Sequence, residues 1–177
     1  MDNLGLGCRI SRFSAVAMLF AATMVNPAVA QERRSPSAEL AAGWVGFADD
    51  GIVSEGLVGV AARWYLSPRI SVGPEVVHLS GNSHSHLMVT GNLTWDLLAP
   101  AAGRLPRATP FLVAGGGLFR TRETFLAGPF TSSEGAFTAG GGVRAPVGER
   151  VTIGIDARVG WELHLRINGS IGVRLRR

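Results

Sequence analysis

The sequence predicts an all-β chain, an eight-stranded antiparallel up-and-down transmembrane β-barrel, and three observations carry that expectation. From Val151 the odd positions read Val151, Ile153, Ile155, Ala157, Val159 and Trp161. The even positions read Thr152, Gly154, Asp156, Arg158, Gly160 and Glu162. A strand sends successive side chains to opposite faces, so this stretch has one apolar face and one polar, charged face. The pattern repeats in Leu165, Ile167, Ile171, Val173 and Leu175, set against Arg166, Asn168, Ser170, Gly172 and Arg174. The second observation is length: the alternating stretches match the roughly 9–11 residues that a tilted strand needs to cross a bilayer. The third is composition. Glycine occurs 24 times in 177 residues, about twice its average share of roughly 7%, and little helical periodicity appears after residue 30.

Residues 1–30 read as a signal peptide. Arg9 and Arg12 precede an apolar segment from Phe13 to Val25, and Ala28-Val29-Ala30 follows. A basic n-region, a short apolar h-region and a small-x-small site are the marks of secretion, and the segment is short of the roughly 20 residues of a spanning helix. Cys8, the only cysteine, lies before the apolar run, which excludes an intrachain disulfide and a lipid-modified first residue. The expected mature chain begins at Gln31 and enters the periplasm or beyond.

Every one of the 17 basic residues is arginine, and the formal net charge is +4. Removing Arg9, Arg12 and Asp2 with the signal takes away +1 and leaves +3. That surplus is small and spread along strands, so the composition gives no support for nucleic acid as a partner.

In the mature part, residues 31–37 contain Pro36 and read as a flexible lead-in, leaving 38–177 for the barrel. Strand one spans roughly 39–48, and Trp44, Val45 and Phe47 leave its facing ambiguous. Asp49-Asp50-Gly51 signals a turn. Strand two, 55–66, sets Val58, Val60, Ala62, Trp64 and Leu66 against Gly59, Ala61, Arg63 and Tyr65. Strand three, 70–79, opposes Ile70, Val72 and Val76 to Ser71, Gly73 and Glu75. After a short loop at 81–84, strand four (86–98) puts Leu87, Val89, Leu93, Trp95 and Leu97 opposite Thr90, Asn92, Thr94 and Asp96. Residues 99–107, with Pro100 and Pro106, form a connection. Strand five (109–121) holds the run Ala114-Gly115-Gly116-Gly117, and strand six (134–145) holds Gly140-Gly141-Gly142. The expected longest loop, 122–133, lies between them. A turn at 147–150 leads into strands seven and eight.

An even strand number in up-and-down order places both termini on the periplasmic side and the 122–133 loop outside, as short inner turns and longer outer loops do in such barrels. Trp64 and Trp95 then fall near the periplasmic ends of their strands and Trp161 near an outer end, at the interfaces that indole favours. Two other arrangements fit the same tryptophans and alternation. One is a soluble periplasmic barrel binding an apolar ligand, with the apolar rows inward. The other keeps the membrane barrel but gives it hydrolase chemistry.

The run Pro110-Phe111-Leu112-Val113-Ala114-Gly115-Gly116-Gly117-Leu118-Phe119 resembles the fifth-strand segment of the outer membrane protein beta-barrel domain family. Gly140-Gly141-Gly142-Val143-Arg144, the Gly-Glu-Arg turn and the stretch from Val151 to Arg158 are similar to that family's next two strands. The resemblance covers most of the mature chain and is strongest over 110–175. It implies a small eight-stranded barrel of the OmpA or OmpX type in the cell outer membrane, monomeric, with outer-membrane lipids and the barrel-insertion machinery as partners. The family's chains commonly finish on an aromatic residue, whereas this sequence reads Val173-Arg174-Leu175-Arg176-Arg177.

Chemistry has few candidates. The inward row carries Arg63, Glu75, Asp96, Arg144, Asp156, Arg158 and Arg174, and charges inside so narrow a barrel must pair. An ion-pair core filling the lumen fits that width better than a narrow polar conduit. His78-Leu79-Ser80 weakly resembles the His-x-Ser of outer-membrane lipid A deacylases. No carboxylate to orient the His is identifiable, and that family carries its pair near the C-terminus. His84 and His86, with His78, offer three imidazoles, but with no nearby Asp, Glu or Cys they read better as solvated loop residues than as a metal site. No Gly-Lys-Ser/Thr follows the glycine runs, so they are read as packing devices rather than a phosphate loop. The sequence therefore predicts a non-enzymatic envelope protein without catalytic, cofactor-binding or metal-binding residues and without a cofactor.

Overall fold

The computed structural model describes residues 34–49, 51–81, 84–98, 107–125 and 128–175. Residues 1–30, the expected signal peptide, lie outside the described residues. Eight strands follow in order: β1 Ser37–Asp49, β2 Gly51–Tyr65, β3 Ile70–Ser80, β4 His84–Asp96, β5 Thr109–Phe125, β6 Gly128–Pro146, β7 Val151–Gly160 and β8 His164–Arg174. Each pairs antiparallel with the next, and β1 closes on β8 from Ser37↔Arg174 to Phe47↔His164. The result is a closed, up-and-down barrel without a free edge, the arrangement that satisfies every strand's backbone. Its ends are called here the terminal end, where β1 begins and β8 finishes, and the far end.

The alternation predicted for β2, β3, β4, β7 and β8 holds, and its sense is apolar outward. Ile155 is 60% exposed and Leu93 52%, while Asp96 is 0% and Arg166 1% exposed. Soluble domains show the reverse, with charged residues almost never fully buried unless paired. The apolar rows therefore do not line a ligand cavity, and the soluble ligand-binding alternative loses its geometric basis. The facing of β1 is also settled. Glu39, Val45 and Phe47 point inward, and Leu40 and Trp44 are exposed on the outer surface.

Exposed tryptophans mark both ends of the apolar surface. Trp64 and Trp95 lie near the terminal end, level with Val72 and Ile70 of β3. Trp44 pairs with Gly56 toward the far end, and Trp161 stands beyond β7, edge-on to Phe137 at 6.1 Å. From Gly56 to Trp64 the chain rises about 3.3 Å per residue, roughly 26 Å along the strand. At the usual tilt of roughly 40° this is a height of about 20 Å, on the scale of a bilayer's apolar band.

Two expectations about loops are corrected. Residues 122–133 do not form the longest loop: β5 runs on to Phe125 and β6 begins at Gly128, so the two strands make one long hairpin at the far end. Thr and Phe in this polar stretch are good strand formers, and paired strands outside the apolar band need no apolar alternation. The longest connection, 97–108, lies instead at the terminal end. Between β7 and β8 the sequence showed no break, yet a 3-10 turn, Trp161–Leu163, reverses the chain with Glu162 and Leu163 at positive φ.

The glycine runs are explained by the barrel's tight curvature. A Cβ at Gly117 would overlap the carbonyl oxygen of Val89, and one at Gly140 that of Ala157. These glycines face inward, where neighbouring backbones converge. The β2–β3 ladder also skips the residues opposite Gly73 and Pro74, where proline has no N–H to donate.

Candidate functional site: the charged lumen

Inward-facing residues of all eight strands build three layers. In the middle, Glu75 of β3 receives Arg158 of β7 (Nη1–Oε2, 2.9 Å) and Arg166 of β8 (Nη2–Oε1, 2.5 Å). Asn92 Nδ2 donates to Glu75 Oε2 at 2.8 Å. Arg158 Nε also donates to Asp156 Oδ1 at 2.7 Å, and Asn168 Nδ2 donates to the other Asp156 oxygen at 2.8 Å. Two guanidinium groups thus meet two carboxylates in a buried, hydrogen-bonded cluster. Charges can be buried only on such terms, because isolated burial costs far more than pairing returns.

Toward the terminal end, Asp96 is clamped between Arg34 (2.8 Å) and Arg144. Glu39 accepts from Arg63 at 2.8 Å and faces Arg144 at 3.9 Å. The guanidinium of Arg144 lies over Phe111 at 4.6 Å, and that of Arg34 over Tyr65 at 5.1 Å, contacts that favour a desolvated cation. A cavity of about 30 Å³ separates this layer from the middle one. A second, of about 90 Å³, opens among Arg34, Arg144 and Arg174 at the terminal mouth.

The far-end layer is apolar and aromatic. Val45, Phe47, Leu57, Val77, Leu79, Met88, Phe119 and Ala136 form one buried cluster. His86 stacks on Phe119 at 5.0 Å, with Nδ1 against Thr121 Oγ1 at 3.0 Å and Nε2 3.2 Å from Glu55. His164 also packs against Phe47, at 5.5 Å.

All seven lumen charges expected from the sequence face inward. Asp156 pairs with Arg158. Arg174 joins no pair among the described residues. Sequence reading missed Glu39, Arg34, Glu55 and Arg166. For Arg166 and Glu55 the signal was present, since each has the parity of the polar row of its strand. For Glu39 it was hidden by the ambiguous facing of β1, and Arg34 lies before any strand.

His78 and Ser80 share the outer face of β3 and are exposed. Their cross-strand neighbours are Val58 and Leu87 for His78, and Gly56 and Ser85 for Ser80. None of the four is a carboxylate that could orient an imidazole. The three imidazoles are not gathered either, because His78 faces out and His86 faces the lumen; the side chain of His84 lies outside the described residues. Reading His86 as a solvated loop residue is corrected: it is buried, 9% exposed, within β4. Its inward parity, shared with Thr90 and Asp96, was the available signal. No group of His, Cys, Asp or Glu among the described residues is arranged to hold a metal ion.

No protein-family model matches the sequence, and no curated protein matches it. Among solved structures the barrel is similar to Neisserial surface protein A, with 10% identity, a TM-score of 0.64, and coverage of 79% of this chain and 96% of that one. It is similar to the N-terminal β-barrel domain of Pseudomonas aeruginosa OprF (13%, TM-score 0.58, covering 78% and 97%). The attachment invasion locus protein Ail of Yersinia pestis aligns with 10% identity, TM-score 0.55, over 80% and 97% of the two chains. At such identities the likeness is one of fold: the chain has the architecture of the small eight-stranded outer-membrane barrels.

Proposed function

We propose that the mature chain is a non-enzymatic integral protein of the cell outer membrane with a structural role in the envelope. Its lumen is closed to solutes by its own side chains. One observation carries this reading. Glu75, Asp96, Asp156, Arg158 and Arg166 are sequestered and paired inside a closed barrel, while the apolar rows, bounded by tryptophans, form its outer surface. A surface of that kind is stable in lipid and aggregates in water. The likeness to outer-membrane barrels supports the location, with the terminal end periplasmic and the far end outside. The far-end aromatic layer and the Glu75 cluster lie in series across the lumen, which supports a plug rather than a conduit.

Fractionation followed by electrophoresis with and without boiling tests this reading. The protein is expected in the outer-membrane fraction, migrating differently before and after boiling. Recovery as a soluble periplasmic species of unchanged mobility would refute it. The non-enzymatic part is tested separately with His78→Ala and Ser80→Ala. Both are expected to leave the lipid A acylation pattern of the host unchanged; loss of a deacylated species that depends on both residues would establish the hydrolase instead.

A further inference from the structure

The middle layer balances its charges, and the terminal layer does not. Among the described residues, Arg34, Arg63, Arg144 and Arg174 face only Glu39 and Asp96 there. Around the 90 Å³ cavity stand Arg34, Arg144 and Arg174, with the hydroxyl-bearing Ser37, Tyr65 and Thr109. Glu39, the carboxylate on its wall, is held by Arg63. Asp96 fixes Arg34 and Arg144 in position, and Arg174 stands across from them without a partner among the described residues. The Nε–H groups of all three arginines are buried and donate to no partner among the described residues. Unsatisfied buried donors are costly, and charged ones more so. The rim adds Arg69, Arg107 and Arg150, all exposed, against Glu149, so the field at the mouth draws anions in.

We propose that the terminal mouth of the barrel is a binding site for a phosphate group, carried by a solute or by a lipid headgroup, held by Arg34, Arg144 and Arg174. The fork of a guanidinium matches the oxygens of a phosphate, and arginines already anchored by a carboxylate lose little freedom on binding. The site needs only the barrel's terminal mouth and does not depend on the lumen being closed at the far end.

The test uses protein extracted from the envelope in a maltoside detergent free of phosphate, titrated with inorganic phosphate by calorimetry. Saturable binding is expected, displaced by sulfate. Arg174→Gln is the decisive variant, because Arg174 joins no ion pair among the described residues and its loss leaves the Asp96 and Glu39 pairs in place. Its affinity should fall about tenfold or more, as loss of one charge-assisted hydrogen bond predicts, while Arg174→Lys retains part of it. Arg120→Gln, on the outer face of β5, should bind as the parent does. Heat-modifiable migration of each variant confirms that it is folded. Repeating the titration in phosphatidylethanolamine nanodiscs separates the sources: unchanged affinity assigns the site to a soluble phosphate, and loss of phosphate binding assigns it to a lipid headgroup. Absence of saturable binding in detergent, or equal affinity in Arg174→Gln, overturns the proposal.

Discussion

Glu75 shows how much one side chain carries in a lumen this narrow. It is 4% exposed and binds two arginines and an asparagine from three other strands. Removing it strands Arg166, which has no other ion-pair partner among the described residues. Arg158 would keep Asp156. Glu75→Ala should therefore lower unfolding stability by about 3–5 kcal/mol, the cost of breaking a buried pair from one side. Glu134, exposed and bonded to Ser132 and Trp161, is the control, with an expected loss of about 0–1 kcal/mol. Urea titration of the barrel in lipid vesicles measures both; equal losses would contradict the paired core. At this scale the sequence was legible through parity, which marked seven lumen charges correctly. Parity says which face a residue takes but not which partner it meets, because partners come from strands up to 91 positions apart. The pairing of Arg158 and Arg166 on one glutamate was therefore beyond sequence reading.

At the scale of the strand, β7 and the glycine runs make separate predictions. Ile155 is flanked by Val143 of β6 and Gly169 of β8, well away from either end. If it faces lipid near the midplane, Ile155→Arg should cost about 2–4 kcal/mol, whereas the same change at an interfacial position costs about 0–1 kcal/mol. Val151, at the terminal end of the same row, supplies that comparison by the same urea titration. Gly140→Ala forces a Cβ into the Ala157 carbonyl, so folding yield should drop sharply. Gly116→Ala points outward, with no atom nearer than 3.8 Å, and should fold as the parent does. Folding yield read from the boiled and unboiled bands distinguishes them. Strands that cross the apolar band were legible because every second residue must be apolar there. The β5–β6 hairpin was not, since beyond that band polar residues pair as strands without alternation. Strand β1 was obscure because Val45 and Phe47 put apolar side chains on the inner face as well. The far-end lumen layer is itself apolar.

At the scale of the whole molecule, the alternation of β2, β3, β4, β7 and β8, with turn signals between most of the strands, sufficed to give number, order and closure. What they could not give was the layered interior, which depends on register around the full barrel. The export expectation belongs here as well. The Ala28-Val29-Ala30 site predicts cleavage after Ala30, so intact mass of envelope protein should begin at Gln31; a retained Met1 would remove the case for secretion. The central claim is that the apolar rows meet lipid. The most direct measurement places a nitroxide at each position from Val151 to Gly160 in turn and records its collisions with oxygen in reconstituted bilayers. The account predicts a period of two, with high oxygen contact at Val151, Ile153, Ile155, Ala157 and Val159. Thr152, Gly154, Asp156 and Arg158 should be shielded. A flat profile, or one in which the even positions meet oxygen, would contradict it.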